Sequence, residues 1–455
     1  MNDHGQGPNL TRREMAHLIG AAGIFGLAGT VFGQTGQQPG QRPGQPTRTP
    51  GSPNAERPRP GPNTPAGAPK SFLDDVITKS RTQNWTLKTY LQLRSWSTPI
   101  NQIPADSMPS AIPFKFATAA IVMPISPATA GSEPNSKSLI SDLRMDQRSV
   151  EAKPQIGENY PAGARLARWE MKNGEGRLIS LDTQVAISTW EVAFDEMKAA
   201  KAVWPAGNKW PKVAQSSFAP QKWVESTGPL ISEAVRQWSG GKPPQSVSPL
   251  QLAKHFLGKV VETIQITGDG LVSGRTGMLQ GFDLKGSEQT LRDGRGSEHD
   301  MACVLCAAYR NAGLPARTVI GLDVTKTKGQ DAILGGKGKN DQLRSWVEFC
   351  LFDESTGKEL WVPADPARQR GSSNRPPAFD RPWKYFGNNQ DLDDVLPLAL
   401  QYHPPTTVIA HGSPCLWGWL TTPELQVAEQ SMRWLTATTP VRPDNDDSKK
   451  KGPYK

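Results

Sequence analysis

The sequence predicts an α+β protein in which a β-rich region precedes a core of helices packed on an antiparallel sheet. Between residues 85 and 200, short stretches alternate between apolar and polar residues, as half-buried strands do. Residues 229–264 instead carry apolar side chains at helical spacing. Residues 296–317 continue as a helix that ends in Gly-Leu-Pro-Ala-Arg and leads into strands. This order predicts two folded regions in one chain.

The β-rich region contains strand candidates separated by clusters of Pro, Gly and Asn, which favour turns over strands. Such a succession of short strands is typical of an antiparallel sandwich. The candidates lie at 86–93, 114–123, 165–171 and 177–194.

Two helices are predicted before the central one. Residues 229–238 begin with a proline and are followed by Gly240-Gly241, the usual signals of a helix start and end. Residues 248–264 place Ser248 at the N-cap and Pro249 at the first helical position.

The N-terminus is similar to a twin-arginine export signal. Arg12 and Arg13 precede an apolar stretch, residues 18–32, that is rich in Gly and Ala. A membrane span needs ~20 predominantly apolar residues, and this stretch is shorter and interrupted by glycines. We therefore expect residues 1–33 to be a signal peptide and the protein to be exported, periplasmic or extracellular. A frayed amphipathic helix is the alternative.

The chain ends are polar and basic. Residues 34–70 are rich in Pro and Gly and are predicted to be a disordered linker, and residues 441–455 a disordered basic tail. The net charge is +9, and part of this excess lies in the two tails. The tails could contact an anionic wall polymer or membrane surface. No basic stripe interleaved with aromatic residues indicates nucleic-acid binding.

The four cysteines are Cys303, Cys306, Cys350 and Cys415. The first two lie three residues apart on the predicted central helix, where helix geometry holds their Cβ atoms badly for a disulfide. We expect all four to be buried structural thiols.

Three sequence blocks together resemble the transglutaminase-like superfamily, papain-related enzymes that use a Cys-His-Asp triad. The blocks are Gly296-Ser-Glu-His-Asp300 with its trailing Gly-Leu-Pro-Ala-Arg, Ser345-Trp-Val-Glu, and Asp365-Pro366. The resemblance implies a papain-like core, residues 211–440, preceded by a β-rich N-terminal domain, residues 71–210. We expect no cofactor and no bound metal.

The resemblance breaks at the chemistry. Glu298 stands where the superfamily has its nucleophilic Cys, and Arg344 stands where it has the His; Asp365 matches the orienting Asp. Arginine keeps its proton at physiological pH and cannot act as a general base. We therefore expect Glu298 and Arg344 to form an ion pair, with Asp365 sharing the guanidinium. The chain is then a non-catalytic member that binds a peptide or protein in the former active-site cleft.

The alternative is a peptidase or acyl-transfer enzyme with non-standard catalytic residues. Cys303 or Cys306 could supply a relocated thiol, although both lie beyond the first helical turn, where the helix dipole no longer favours a thiolate. Glu298, Asp300 and Asp365 could instead act as general acid and base. A metal site formed by Glu298, His299 and Asp300 is disfavoured, because consecutive helical residues face different directions.

Overall fold

The computed structural model describes residues 70–97, 102, 110–274, 278–325, 332–334, 343–388, 390–406, 415–425 and 428–438. The expected signal peptide, the linker up to residue 69 and the basic tail lie outside these residues, so those expectations stay predictions. No helix within the described ranges has the length and apolar character that a membrane crossing requires.

The strands and helices are numbered in chain order over the described residues. The strands β1 to β18 are Ile77–Ser95, Phe114–Pro124, Ser132–Met145, Arg148–Val150, Gln155–Gly157, Leu166–Gly176, Leu178–Phe194, Gln265–Ile266, Leu271–Ser273, Leu279–Phe282, Arg295–Gly296, Ala316–Asp323, Ala332–Leu334, Leu343–Asp353, Lys358–Ala364, Val395–Ala399, Gly418–Thr422 and Ala428–Thr438. The helices α1 to α7 are Glu196–Ala199, Lys212–Ser216, Pro229–Trp238, Pro249–Thr263, Ser287–Asp293, Glu298–Asn311 and Pro366–Ser372.

Two sheets account for the β-rich region. The larger has the order β4-β3-β7-β1-β18-β10-β9, with β13 paired to β18, and the smaller has the order β17-β2-β6-β5. In β1 the apolar residues of an alternating pattern, such as Leu87, Leu91 and Leu93, are buried, because successive strand residues face opposite sides of a sheet. All four predicted strands are present; the first, second and third are longer than predicted, and the fourth, β7, begins one residue later than predicted.

Strand β3 was not predicted. Its sequence, Ser-Glu-Pro-Asn-Ser-Lys-Ser-Leu-Ile-Ser-Asp-Leu-Arg-Met, has few apolar residues and no clear alternation. It forms because backbone hydrogen bonds pair it with β7 over most of its length, with a register shift between Asn135 and Ile140. The pairing partner, and not local propensity, decides this strand.

The core sheet is antiparallel and has the order β15-β14-β12-β16. Helix α6 packs in the hydrophobic core beside it, and every residue from His299 to Arg310 is buried. The helix ends at Asn311, and Gly313 follows with a φ of +85°, in the left-handed region that glycine adopts without strain. The α+β fold class is confirmed, with an N-terminal sheet region before the core.

Helix α4 begins as its sequence predicted. The side chain of Ser248 accepts a hydrogen bond from the backbone N–H of Gln251, and Oε1 of Gln251 accepts one from the backbone N–H of Ser248. Pro249 occupies the first helical position, where its missing N–H costs no hydrogen bond.

The two predicted regions share their sheets. Strand β18, close to the C-terminal end of the described chain, pairs with β1 in continuous antiparallel register from Trp85↔Thr438 to Ser95↔Ala428. Strand β17 likewise pairs with β2. Strands on both sides of the predicted boundary at residue 210 therefore belong to the same sheets, and the boundary itself stays a prediction.

Candidate active site

The N-terminus of α6 is fixed by a buried capping box. The Ser297 side chain accepts from the backbone N–H of Asp300. Oδ2 of Asp300 in turn accepts from the Ser297 backbone at 2.9 Å and its hydroxyl at 2.7 Å. Oδ1 of Asp300 accepts from the backbone of Lys285 and Gly286. Asp300 is therefore a structural anchor with all its acceptor positions used locally, and it does not face the site as a free acid.

Glu298 occupies the first position of α6 and is partly exposed. Burial of its carboxyl group, followed by the nearby charge of Asp365, raises its pKa to about 7, although Arg368 and Arg344 oppose the shift. At the head of the central helix, the chain thus carries a carboxyl group that exchanges its proton near neutral pH.

Arg344 and Asp365 form a buried ion pair. Nε of Arg344, on β14, donates to Oδ2 of Asp365 at 2.8 Å, and the two side chains are 3% and 0% exposed. Asp365 also caps α7, because its Oδ1 accepts from the backbone N–H of Arg368 at 2.9 Å. The Asp365 carboxylate, predicted to match the superfamily's orienting Asp, is thus held by a guanidinium and by a helix N-terminus.

A second pair lies beside the first. Nη2 of Arg368 contacts Oδ2 of Asp323 at 2.7 Å. Both Asp323 and Asp365 act on the pKa of Glu298 in the upward direction. Each guanidinium in this group has its own carboxylate, so Glu298 is the acid left in excess, and protonation relieves the repulsion.

Of the two contacts expected for the Arg344 guanidinium, the structure forms the one with Asp365 and does not form the ion pair with Glu298. Arg344 binds Asp365, but no hydrogen bond or ion pair within 4 Å joins it to Glu298 in the described structure. The two charges interact only at longer range, where Arg344 lowers the pKa of Glu298 less than burial raises it. Asp365 competes successfully for the guanidinium because it is fully buried and needs a counter-charge.

A second buried group adjoins the site and was not foreseen from the sequence. Nδ1 of His299 lies 2.7 Å from Oγ of Ser345, and the Tyr402 hydroxyl donates to the same Oγ at 2.8 Å. The His299 ring packs edge-on against Phe282. Burial lowers the pKa of His299 to about 3, so its ring is neutral. Only the position of His299 beside residue 298 could have indicated this network; nothing in the sequence indicated Tyr402.

The thiols lie in the core. Cys303, Cys306, Cys350 and Cys415 are all buried and free. Burial raises the pKa of each, which disfavours the thiolate that nucleophilic chemistry requires. The expectation of buried structural thiols is confirmed, and a relocated thiol nucleophile has no support in this geometry.

Residues 248–366 match the family model of the transglutaminase-like superfamily. The matched residues are similar to the core of that superfamily. The matched segment runs from the N-cap of α4 through α6, β12, β14 and β15 to the start of α7, and so contains Glu298, Arg344 and Asp365. The transglutaminase-like fold predicted from the sequence is therefore confirmed.

A comparison with solved structures found two proteins described as proteases. A candidate cysteine protease from Cytophaga hutchinsonii has a TM-score of 0.46 at 10% identity, covering 81% of this chain and 94% of its own. A candidate protease from Parabacteroides distasonis has a TM-score of 0.21 at 12% identity, covering 65% of this chain and 60% of its own. A search among proteins of curated function found no match.

The chemistry available to the transglutaminase-like core follows from these placements. Glu298 can gain or lose a proton near neutral pH, and Arg344 can hold negative charge but cannot accept a proton. Asp365, the third of the predicted site residues, contacts Arg344 directly. The structure thus brings Arg344 and Asp365 into contact and leaves Glu298 beside them. Sequence reasoning missed Asp323 and Arg368, which complete the charged group.

Proposed function

We propose that this transglutaminase-like protein does not use the superfamily's thiol mechanism and that it binds a peptide or protein segment in the cleft at the head of α6. The observation that carries the proposal is the buried pairing of Arg344 with Asp365 at 2.8 Å. In a thiol enzyme the orienting acid holds a histidine, which takes up and returns the proton of the nucleophile. Here that acid holds a guanidinium, which keeps its proton, so the pair supplies no general base.

Two further features support binding without thiol chemistry. Glu298, a partly exposed residue, carries a polar side chain at the position where a substrate would meet the nucleophile. The described thiols are buried and disfavoured as thiolates. A peptide could thus be held by polar contacts to Glu298 without forming a covalent intermediate.

The test uses the full chain and a library of fluorescent peptides. We expect wild-type protein to bind a subset of peptides and to release them intact, with no cleavage and no incorporation of an added amine. Glu298→Arg should abolish this binding by filling the cleft and reversing its charge. The matched control Glu262→Arg changes an exposed glutamate on α4 and should leave binding unchanged. Peptide turnover by wild type that Glu298→Gln removes would overturn the proposal.

A carboxyl-based hydrolase is the second candidate, and one observation favours it. The pKa of Glu298 is raised to about 7, which suits a general acid or base near neutral pH. Such an enzyme would lose activity in Glu298→Gln and retain it when all four cysteines are replaced by alanine or serine. Its activity would also follow the ionisation of Glu298, with a pH profile that bends near neutrality.

We propose in addition that the protein is exported through a twin-arginine-type signal and acts outside the cytoplasm. The paired Arg12 and Arg13 ahead of an apolar stretch support this. Cell fractionation of wild type and an Arg12→Lys/Arg13→Lys variant tests it: the variant should be retained in the cytoplasm. Equal export of both would contradict the proposal. We also propose that the two basic tails contact an anionic wall polymer or membrane surface, because opposite charges attract.

A further inference from the structure

A cavity of about 600 Å³ lies apart from the Glu298 site. Its walls come from the start of β1, the start of β3 and the segment before it, the segment before β6, and strand β15. Its volume falls in the range of sites that bind small molecules, about 300–1,000 Å³. None of the residues predicted from the sequence as catalytic lines it.

One wall of the cavity contains Arg317, which several hydrogen bonds hold in place. Arg317 is buried, donates from Nε and Nη2 to Glu348 and from Nη2 to the backbone of Ala128, and so fixes one wall. The Trp361 ring lies over this guanidinium, 4.3 Å from Cζ to the ring centroid. Because Arg317 is matched by Glu348, its charge is already compensated, and the partly exposed Trp361 is left as a flat apolar surface in the cavity.

Four other charged side chains line the cavity without a direct ion pair to any described residue. Two are basic, Lys79 and Arg165, and two are acidic, Glu133 and Glu359. Lys79 is held over the Trp190 ring at 3.8 Å, and Glu133 reaches it only through a longer-range charge interaction. Lys358, by contrast, is neutralised by Asp74.

We propose that this cavity binds a small zwitterion that carries an ammonium group, a carboxylate group and an apolar part, as free amino acids and short peptides do. Arg165 and Lys79 would receive the carboxylate, and Glu133 and Glu359 the ammonium group. Trp361 would contact the apolar part. A ligand with one group of each sign can contact both the two basic and the two acidic side chains. A simple anion would leave the two acidic side chains without a counter-charge, and a simple cation would leave the two basic ones without one.

Calorimetric titration of the full chain tests the proposal with L-phenylalanine and the tripeptide Ala-Phe-Ala as probes. We expect at least one of them to bind with a Kd of about 1 mM or tighter. The probe that binds more tightly shows whether the cavity prefers a free amino acid or a short peptide. The N-acetylated and the C-amidated forms of that probe should each bind about tenfold more weakly, because each lacks one charge.

Variants separate this cavity from the Glu298 site. Arg165→Gln and Glu359→Gln should each weaken binding about tenfold, whereas Arg177→Gln, an exposed arginine outside the cavity, should not. Glu298→Arg should also leave this binding unchanged, so failure of the proposed cleft function and failure of this site are distinguishable. Absence of saturable binding by both probes, or equal binding of the blocked forms, would overturn the proposal.

Discussion

Arg344 and Asp365 meet in the interior of the core, with Nε 2.8 Å from Oδ2 and both side chains almost fully buried. A charged pair at this depth stabilises the fold only while both partners remain. Because Asp365 binds Arg344, it is not available to orient a histidine. One ion pair therefore affects both the stability of the fold and the chemistry that the site can perform.

Arg344→Met is expected to lower the free energy of unfolding by about 3–5 kcal/mol, since it leaves Asp365 as an uncompensated buried charge. The double variant Arg344→Met/Asp365→Asn should recover part of this loss, because an asparagine carries no charge and can still cap α7. Denaturant unfolding of the three proteins measures the coupling. Additive losses would show that the two residues act independently.

The stability should depend on pH through Glu298. Its pKa is raised to about 7 in the folded protein, so the folded state holds its proton more tightly than the unfolded chain does. The favourable contribution is complete below the ordinary glutamate pKa and is lost as pH rises through about 7. Glu298→Gln, which resembles the protonated form, should match wild type in acid and exceed it in mild alkali. Thermal unfolding at both ends of this range measures the difference; a constant difference would contradict the shift.

Ser345→Ala should destabilise the protein by about 1–3 kcal/mol, because it leaves Nδ1 of His299 and the Tyr402 hydroxyl without their shared buried partner. The control Ser246→Ala removes an exposed hydroxyl and should change stability by less than about 0.5 kcal/mol. Equal effects of the two substitutions, measured by denaturant unfolding, would show that the buried network contributes little.

Restoring the superfamily residues tests whether the cleft is otherwise intact. The combination Glu298→Cys/Arg344→His should create a thiol that reacts with iodoacetamide faster than the thiol of Glu298→Cys alone, since a histidine held by Asp365 stabilises the thiolate. Wild type should label slowly, because its four cysteines are buried. The rates of labelling of the native proteins are compared, and equal rates for the double and the single variant would contradict the expectation. Rapid labelling of wild-type Cys303 would instead favour a thiol enzyme.

Local signals allowed part of this structure to be predicted. The Ser248 cap with Pro249 behind it marked the start of α4, and Gly313 marked the end of α6, because both depend on residues within one turn of the chain. Strand β3 was missed because its pairing with β7, and not its own pattern, specifies it. The cavity beside Trp361 could not be predicted, because its walls come from segments far apart in sequence.

The sequence by itself determined the transglutaminase-like core and predicted that a carboxyl group and a guanidinium take the places of the thiol and the imidazole, because motif spacing indicates which residue begins a helix and which lies on a strand. Only the tertiary structure decided how those charges are shared. It paired Arg344 with Asp365, placed Asp323 against Arg368 and left Glu298 as the acid that protonates near neutral pH. The physical reason is that burial and distance between remote segments, which set electrostatic pairing, are properties of the folded chain alone.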